Sequence, residues 1–206
     1  MRSSTKRDDI RKAAQRLFLR SGLQRTSMDA IAIEARVSKQ TLYRYFGSKD
    51  ELFVAVLTGL TTEPVKAQVE KVMPAAPLTI GELEEGLLAL ATGALDVLLN
   101  PTYLALLRIV IAESEGFPEL AGMFRSTVIA RGAGSITSFL TSEHVAPLVL
   151  IPEIAPALRL LVGPLLSYVL GALLGDPDEI RAIAQGELGS VIGLFVVAIS
   201  TPSPLL

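Results

Sequence analysis

The sequence predicts an all-α protein of 206 residues, with a small N-terminal helical domain and a larger C-terminal one. Apolar residues recur at the spacing of an α-helix along most of the chain. Residues that start and end helices separate about nine such segments. No segment of useful length alternates apolar and polar residues as a strand would. We expect one domain over residues 1–50 and a second over 51–206, with a long connecting helix at about residues 48–72.

The N-terminal domain is predicted to contain three short helices. The first covers about residues 6–21 and ends at Gly22, because glycine often follows the last helical turn. Thr26 or Ser27 caps the second helix, and Ser38 caps the third. The side chains expected on the inner faces are Ile10, Ala13, Ala14, Leu17, Phe18, Met28, Ile31, Ala32, Ala35, Leu42 and Phe46.

The later helices also begin with recognisable residues. Ser48 to Glu51 and Thr79 to Glu82 are predicted capping boxes, and Asn100-Pro101 can cap and begin a helix. The segment Pro74–Pro77 interrupts the helical pattern. The fourth helix is expected to bury Leu52, Phe53, Val56 and Leu57. The predicted helices cover about residues 48–72, 79–99, 101–115, 119–141, 154–175 and 178–200.

Charge is divided unevenly along the chain. Residues 1–50 contain 12 Lys and Arg against 5 Asp and Glu, whereas the remaining 156 residues contain 7 against 16. The first part is therefore at +7 and the second at −9, although the whole chain carries only −2. This pattern favours a basic module for a polyanion joined to an acidic body. A solvated charged face alone would give the same balance.

The third helix has the pattern of a helix that reads DNA. Leu42 and Phe46 anchor it inward, so the outward arc would carry polar, basic and aromatic side chains. Lys39 can donate to guanine, and Gln40 can pair with adenine. Hydroxyl groups of Thr26 and Ser27 at the second helix could meet a phosphate. The residues of the outward arc are Lys39, Gln40, Thr41, Tyr43 and Arg44.

A core role is the alternative for the aromatic residues of this helix. Phe46 fits a helical core. Tyr43 does not, because Leu42 and Phe46 already define the inner face, and Tyr45 stays open between the two roles. Lys49 lies in the first turn of the fourth helix, where a cation is unfavourable against the helix dipole unless a phosphate joins it.

One string of residues carries a family resemblance: Thr26-Ser27, Ile31-Ala32, Ala35, Val37-Ser38, Thr41-Leu42-Tyr43, Tyr45-Phe46, Ser48-Lys49 and Leu52. With it, residues 6–60 resemble the DNA-binding domain of the tetracycline-repressor (TetR/AcrR) family of bacterial transcriptional regulators. Two departures are visible. Arg36 stands where the family usually has a turn glycine, so a non-glycine residue is expected at positive φ, and Gln40 stands where glycine is frequent.

The resemblance implies roles for individual residues. The third helix, capped by Ser38, would read the major groove through Lys39, Gln40, Thr41 and Tyr43. The residues implied to bind backbone phosphate are Thr26, Tyr45 and Lys49. Arg44 is added on its expected exposure alone. Family members also carry a helical C-terminal domain that dimerises and holds a ligand, and the segment 113–124 resembles a loop and helix of that domain.

Small residues on the last two helices predict a homodimer. Gly163, Ser167, Gly171 and Gly175 are four apart on one helix, and Gly189 and Gly193 repeat the pattern on the next. Glycine inside a helix costs up to ~1 kcal/mol relative to alanine, so close approach of another helix is the expected compensation. Membrane insertion competes, but the uncharged run from Leu160 to Gly175 is 16 residues, shorter than a span of about 20.

A lipophilic effector is expected in the C-terminal domain, because few charges occur among the middle helices. The same aromatic and apolar side chains could equally be core. Asp96 and Arg108 are the candidates for one oriented polar contact. The remaining candidate ligand residues are Tyr103, Leu107, Phe117, Met123, Phe124, Phe139 and Tyr168.

Catalysis finds no support in the sequence. There is no cysteine, His144 is the only histidine, and no nucleophile, phosphate-loop or dinucleotide motif appears, so no enzyme, metal or cofactor is expected. The charged first residues do not resemble a signal peptide, and a cytoplasmic protein is expected.

The sequence therefore predicts a homodimeric repressor that binds a palindromic DNA operator and is released by a small lipophilic effector. Two recognition helices would have to lie about 34–36 Å apart to enter successive major grooves. By the family resemblance, effector binding would tilt the fourth helix and spoil that spacing. An activator of the same fold, a non-specific DNA-coating protein and a membrane-associated helical protein remain as alternatives.

Overall fold

The computed structural model describes residues 5–72, 77 and 79–200, and within them the chain is helical. No strand forms in these residues; Val149 and Ser200 make one isolated antiparallel bridge. The all-α prediction is confirmed. The ten α-helices are α1 (Lys6–Arg25), α2 (Met28–Glu34), α3 (Lys39–Tyr45), α4 (Lys49–Val72), α5 (Ile80–Leu98), α6 (Pro101–Glu113), α7 (Pro118–Phe124), α8 (Ala130–Leu140), α9 (Ile154–Leu174) and α10 (Pro177–Ile199).

The described residues fall into two compact units. The first takes up Met1–Thr62 and Ala105–Ala130, and the second Glu63–Leu104 and Arg131–Leu206. Helices α4 and α6 therefore each contribute to both units. The domain boundary predicted at residue 50 stays a prediction, since this division falls later in α4 and assigns a middle segment to the N-terminal unit.

The helical hydrogen bonding of α1 runs past its predicted end. Gly22 nevertheless has φ 77° and ψ 171°, which no helix residue adopts, so the regular helix is interrupted where glycine predicted its end. The long helix predicted over about residues 119–141 is also interrupted. A π-helical turn at Arg125–Ile129 separates α7 from α8. The predicted break at Pro74–Pro77 lies outside the described residues except for Pro77, which is buried.

The predicted caps form with one difference in detail. Thr79 and Glu82 make a capping box at α5, with both bonds at 3.2 Å. Asn100 Oδ1 accepts from the backbone N–H groups of Thr102 and Tyr103 at the start of α6. At α4, Ser48 Oγ accepts from the Glu51 N–H, but the Glu51 carboxylate reaches the N–H of Gly47 and not that of Ser48.

The core of the first unit joins the N-terminal helices. Phe18 of α1 and Phe53 of α4 are both fully buried, and their rings meet edge to face with centroids 5.0 Å apart. Almost all the predicted inner residues of α1 to α4 are buried; Ala35, at the end of α2, is only half-buried. This packing supports α2 and α3 and leaves their other faces to solvent.

In the second unit, α10 packs against α9 and α5. Leu165 and Val169 of α9 and Leu188 and Ile192 of α10 are among the side chains that this packing buries. The Tyr168 hydroxyl donates to Glu187 Oε2 at 2.9 Å, and Arg181 Nη1 donates to Asp96 Oδ1. These two bonds tie α10 to its neighbours at its polar positions.

Candidate nucleic-acid interface and C-terminal sites

The third helix is anchored by two side chains. Leu42 and Phe46 have no exposed surface, and the Arg7 guanidinium lies 5.2 Å from the centre of the Phe46 ring. Ser38 caps the helix because its Oγ accepts from the Thr41 N–H at 3.1 Å, and the same Oγ lies 2.8 Å from Thr41 Oγ1. The rotation of α3 about its axis is therefore fixed from beneath.

The outward arc of α3 faces solvent as expected. Lys39, Gln40 and Arg44 are exposed, and Tyr43 keeps 44% of its surface exposed. Thr41 is half-buried, and its hydroxyl lies 2.8 Å from Ser38 Oγ. Such an arc combines amide, ammonium, guanidinium and phenol groups, which are donors suited to base edges and phosphates.

Tyr45 takes neither of its two predicted roles completely. It is half-buried, and the Arg44 guanidinium lies 5.4 Å from the centre of its ring. The cation is therefore held along the surface of the helix by a cation–π contact. Arg44 and Tyr45 form one group at the C-terminal end of the arc.

Lys39 has a partner that the sequence analysis did not identify. Its Nζ lies 2.8 Å from Asp29 Oδ1, which joins α3 to α2. The hydrogen bond with Asp29 raises the pKa of Lys39 above its ordinary value. Both side chains are 61% exposed, so the pair contributes little to stability. Its effect is to orient the ammonium group that was predicted to read guanine.

The predicted phosphate contacts of the second and fourth helices have different surroundings. Thr26 is only 3% exposed, and its hydroxyl donates to the carbonyl of Gly22 at 2.7 Å. This is a correction, because a buried hydroxyl with an internal acceptor holds the α1–α2 connection and does not face a phosphate. Ser27 is exposed and caps α2. Lys49 is half-buried, with Nζ 3.4 Å from the carbonyl of Gln24.

The turn between α2 and α3 confirms one expectation about the backbone. Arg36 has φ 53°, and it is the one non-glycine residue with positive φ among the described residues. The left-handed conformation costs an ordinary side chain about 1 kcal/mol relative to glycine.

The predicted dimer residues have different surroundings within the chain. A Cβ on Gly171 would lie 3.0 Å from Ile180 Cδ1, and one on Gly193 would lie 3.2 Å from Glu84 Oε1. Packing within the chain therefore limits side chains at these two half-buried glycines, and their assignment to the dimer interface stays a prediction. Gly175 is the C-terminal cap of α9. Gly163, Ser167 and Gly189 are exposed, so the prediction stays open for them.

An exposed apolar stripe runs along α9 beside Gly163 and Ser167. Leu160, Leu170 and Leu174 are 58%, 56% and 82% exposed, and they lie at helical spacing with those two small residues. On α10, Leu194 and Val197 are 72% and 76% exposed. These residues were not among the predicted interface residues, although apolar side chains on a second face of each helix could have indicated them.

Two of the described helices are long and apolar enough to cross a membrane. They are α9 and α10, with mean hydropathy 1.9 and 1.8. Counting the bent pair α5 and α6 as one span would raise the number to three. Length and composition are the sole basis of this finding. One face of each helix is buried within the second unit, and charged Arg159 and Glu187 lie on the two helices.

The predicted ligand residues divide between the two units. Tyr103, Phe139 and Tyr168 are buried in the second unit, and burial raises the pKa of Tyr103 to about 12. Burial and the bond to Glu187 raise the pKa of Tyr168 as well. In the first unit, Leu107, Met123 and Phe124 are half-buried, and Arg108 and Phe117 are exposed. Their joint role in a pocket stays a prediction.

Asp96 lies in a different environment from the other predicted ligand residues. It is exposed, pairs with Arg181, and lines a groove of 560 Å³ between α5 and α10. Leu88, Thr92 and Leu95 form the α5 side of this groove, and none of the other predicted ligand residues lines it. Asp96 is therefore separated from the buried aromatic set.

Comparison with known proteins identifies the family. The family model of the tetR family of bacterial regulatory proteins matches residues 10–56, which include the anchored helix and its outward arc. A second model, for the C-terminal domain of AefR-like transcriptional repressors, matches residues 85–170. The chain belongs to the TetR family. It is accordingly a DNA-binding transcriptional regulator.

Individual relatives agree with this TetR assignment. The HTH-type transcriptional repressor SCO4008 of Streptomyces coelicolor is 48% identical over 48 residues, which are 23% of this chain and 25% of the repressor. The chain thus matches only a quarter of that relative's length. A regulator assigned to the TetR family from Mesorhizobium loti superposes with a TM-score of 0.74 at 25% identity, covering 98% of this chain and 100% of its own.

A third similar protein is named for the ligand class to which it responds. It is the flavonoid-responsive regulator FrrA, with a TM-score of 0.62 and 29% identity over 96% of this chain and 98% of its own. The three comparisons place the TetR helix-turn-helix at the N-terminus and a TetR-type helical body after it.

Proposed function

We propose that this TetR-family protein is a repressor that binds a palindromic operator as a homodimer. The observation that carries the proposal is the arc of α3, where Lys39, Gln40 and Tyr43 face solvent while Leu42 and Phe46 have no exposed surface. A helix anchored from beneath can enter a major groove without distorting its own scaffold. The +7 charge of residues 1–50 supports association with a polyanion.

The exposed apolar stripe supports the homodimer. Side chains such as Leu170 and Leu174 would be shielded from water if α9 and α10 of a second copy covered them, and two helices from each protomer would make a four-helix interface. Two-fold symmetry of the protein then requires two-fold symmetry of the operator.

A lipophilic effector would release the repressor from DNA. The buried aromatic residues Tyr103, Phe139 and Tyr168 support an aromatic or apolar ligand in the second unit. FrrA, which is similar over nearly the whole chain, is flavonoid-responsive by name, and a flat aromatic polyphenol is a compatible class for this protein. Tenfold weaker DNA binding needs about 1.4 kcal/mol of coupling between the two sites.

Selection of bound duplexes from a random DNA pool tests the operator. We expect an inverted repeat whose half-sites are centred 10–10.5 base pairs, or a multiple of that, apart. Tyr43→Ala should bind the selected duplex more weakly and keep the wild-type thermal stability, because Tyr43 is exposed. A pool that yields no common sequence would reject the operator, and a single half-site would reject the dimer.

Effector release needs a separate test. Flavonoids are titrated into the complex of the protein with the selected duplex, and dissociation is followed by fluorescence anisotropy. The expected result is release by a flavonoid, and no release by glucose at the same concentration. Retention of DNA throughout the flavonoid series would reject this effector class. Reporter expression from a promoter that overlaps the operator then distinguishes a repressor from an activator.

A further inference from the structure

The backbone at Arg36 has a left-handed conformation that glycine adopts more easily than arginine. Its N–H donates to the carbonyl of Ile33 at 3.1 Å, and the next N–H, of Val37, donates to Ala32 at 3.0 Å. These backbone bonds close the end of α2, and neither needs a side chain at position 36. A positive φ of 53° is strained for arginine and not for glycine.

The side chain of Arg36 makes no contact within the described residues that would offset this strain. It is exposed, and it forms no hydrogen bond, ion pair or ring contact with any part of the chain that the structure describes. The cations around it differ in this respect. Arg16 pairs with Glu34, Lys39 pairs with Asp29, and Arg44 lies over Tyr45. Strain without an intramolecular contact points to an external partner.

The position of Arg36 indicates which partner that is. Asp29 Oδ1 of α2 lies 2.8 Å from Lys39 Nζ of α3, so this face of α2 borders the DNA-reading arc. Ile33 follows Asp29 by one helical turn and is 79% exposed. Arg36 lies three residues before Lys39, and their Cα atoms can be at most about 11 Å apart. Since the major groove is about 12 Å wide, a helix in the groove would bring Arg36 to its phosphate edge.

We infer that Arg36 is a DNA-contacting residue whose guanidinium donates to an operator phosphate beside the groove occupied by α3, once in each protomer. This inference rests on the proposed function, because it requires the arc of α3 to face DNA. Guanidinium groups bind phosphate through two parallel N–H donors. A phosphate contact carries no base information, so it adds affinity to operator and to unrelated DNA alike.

Three variants separate strain from charge. Arg36→Lys keeps both the strain and the charge, Arg36→Gln keeps the strain and removes the charge, and Arg36→Gly removes both. The matched control is Arg20→Gln, which removes the same charge from an exposed cation of α1, outside the arc of α3. Binding to the selected operator and to an unrelated duplex is measured between 50 and 200 mM salt.

The dimer loses two phosphate contacts in Arg36→Gln and Arg36→Gly. The slope of log affinity against log salt should become shallower by about 1.8, so the deficit of these variants relative to wild type shrinks about tenfold between 50 and 200 mM salt. Arg36→Lys and Arg20→Gln should keep the wild-type slope. Arg36→Gly should also unfold at a higher temperature than wild type, although it binds DNA more weakly.

The results that would overturn the inference are distinct from a failure of the proposed function. If wild type binds its operator and Arg36→Gly keeps the wild-type slope, Arg36 makes no phosphate contact. Equal changes of slope in Arg36→Gln and Arg20→Gln would mean that only the total charge matters, which also overturns it. If the wild-type protein itself selects no DNA sequence, the proposed function is rejected, whatever the Arg36 variants show.

Discussion

Individual residues decide what the reading helix can contact. The sequence placed Lys39 on the outward arc of α3, and the structure adds that Asp29 holds its ammonium group at 2.8 Å. Two exposed side chains paired in this way contribute little to stability, so the pair bears mainly on recognition. The Gln40 side chain is exposed beside it and forms no hydrogen bond with the described residues.

Lys39→Ala is expected to relax the base preference of the protein. A lysine donating to guanine contributes about 1–3 kcal/mol of discrimination against the wrong base, and alanine cannot replace it. The measurement compares affinities for the selected operator and for operators with single base changes. Lys12→Ala, which removes an exposed lysine of α1, is the control and should weaken all duplexes equally or not at all. Unchanged discrimination in Lys39→Ala would remove Lys39 from the reading set.

Tyr103 gives a residue-level prediction about pH. In the unfolded chain its phenol loses a proton near pH 10, whereas burial raises the pKa of Tyr103 to about 12 in the folded protein. Between those values the unfolded state binds fewer protons, so folding stability present below pH 10 is lost as pH rises toward 12. The loss attributable to Tyr103 is about 2–3 kcal/mol.

Urea unfolding of wild type and Tyr103→Phe at pH 9 and pH 11.5 checks this. Phenylalanine cannot ionise, so the variant should lose less stability over that interval than wild type does. The difference of differences cancels the titration of lysines and of other tyrosines common to both proteins. Identical pH dependence in the two proteins would mean that Tyr103 ionises as freely in the folded state as in the unfolded one.

At the scale of elements, helix starts were predictable, but the interruption between α7 and α8 was not. Thr79 and Glu82 form the capping box that their spacing indicated. A cap is local, since all its atoms lie within four residues, and so the sequence alone contains it. The π-helical turn at Arg125–Ile129 has no proline or glycine within it to announce it. Its five residues therefore give no local signal from which the interruption could be predicted.

Thr79→Ala is expected to lower the free energy of unfolding by about 1 kcal/mol, because the N–H of Glu82 loses its acceptor. Thr79→Ser keeps the hydroxyl and should stay within about 0.5 kcal/mol of wild type. Chemical unfolding curves of the three proteins measure the difference. Equal stability of the alanine and serine variants would show that the cap does not contribute.

At the scale of the whole molecule, the exposed stripe on α9 and α10 is the main feature. Its members are apolar, and one chain leaves them in contact with water. Both helices are also long and apolar enough to cross a membrane. Either a second copy or a bilayer would shield such a surface from water. The charged residues on these helices favour the second copy, because charges are costly inside a bilayer.

Leu170→Glu is expected to dissociate the dimer, because a carboxylate would be buried opposite its symmetry mate. Sedimentation should then give the monomer mass, and affinity for the inverted repeat should fall toward that for a single half-site. Leu150→Glu is the matched control, since Leu150 is 58% exposed, close to the 56% of Leu170, and lies outside both helices. Dimers of Leu170→Glu would contradict the interface, and extraction of wild type only with detergent would favour the membrane alternative.

The sequence by itself determined the helical class, the caps, the anchoring of α3 by Leu42 and Phe46, and the exposure of its arc, because each depends on neighbours within a few residues. It also indicated the positive φ of Arg36. Tertiary structure decided that Thr26 is buried and that Asp29 holds Lys39, because partners on other helices determine both. It likewise decided that Gly171 lies against Ile180 and that Gly193 lies against Glu84. A side chain's helical face follows from spacing, but what lies opposite that face follows only from how the helices pack.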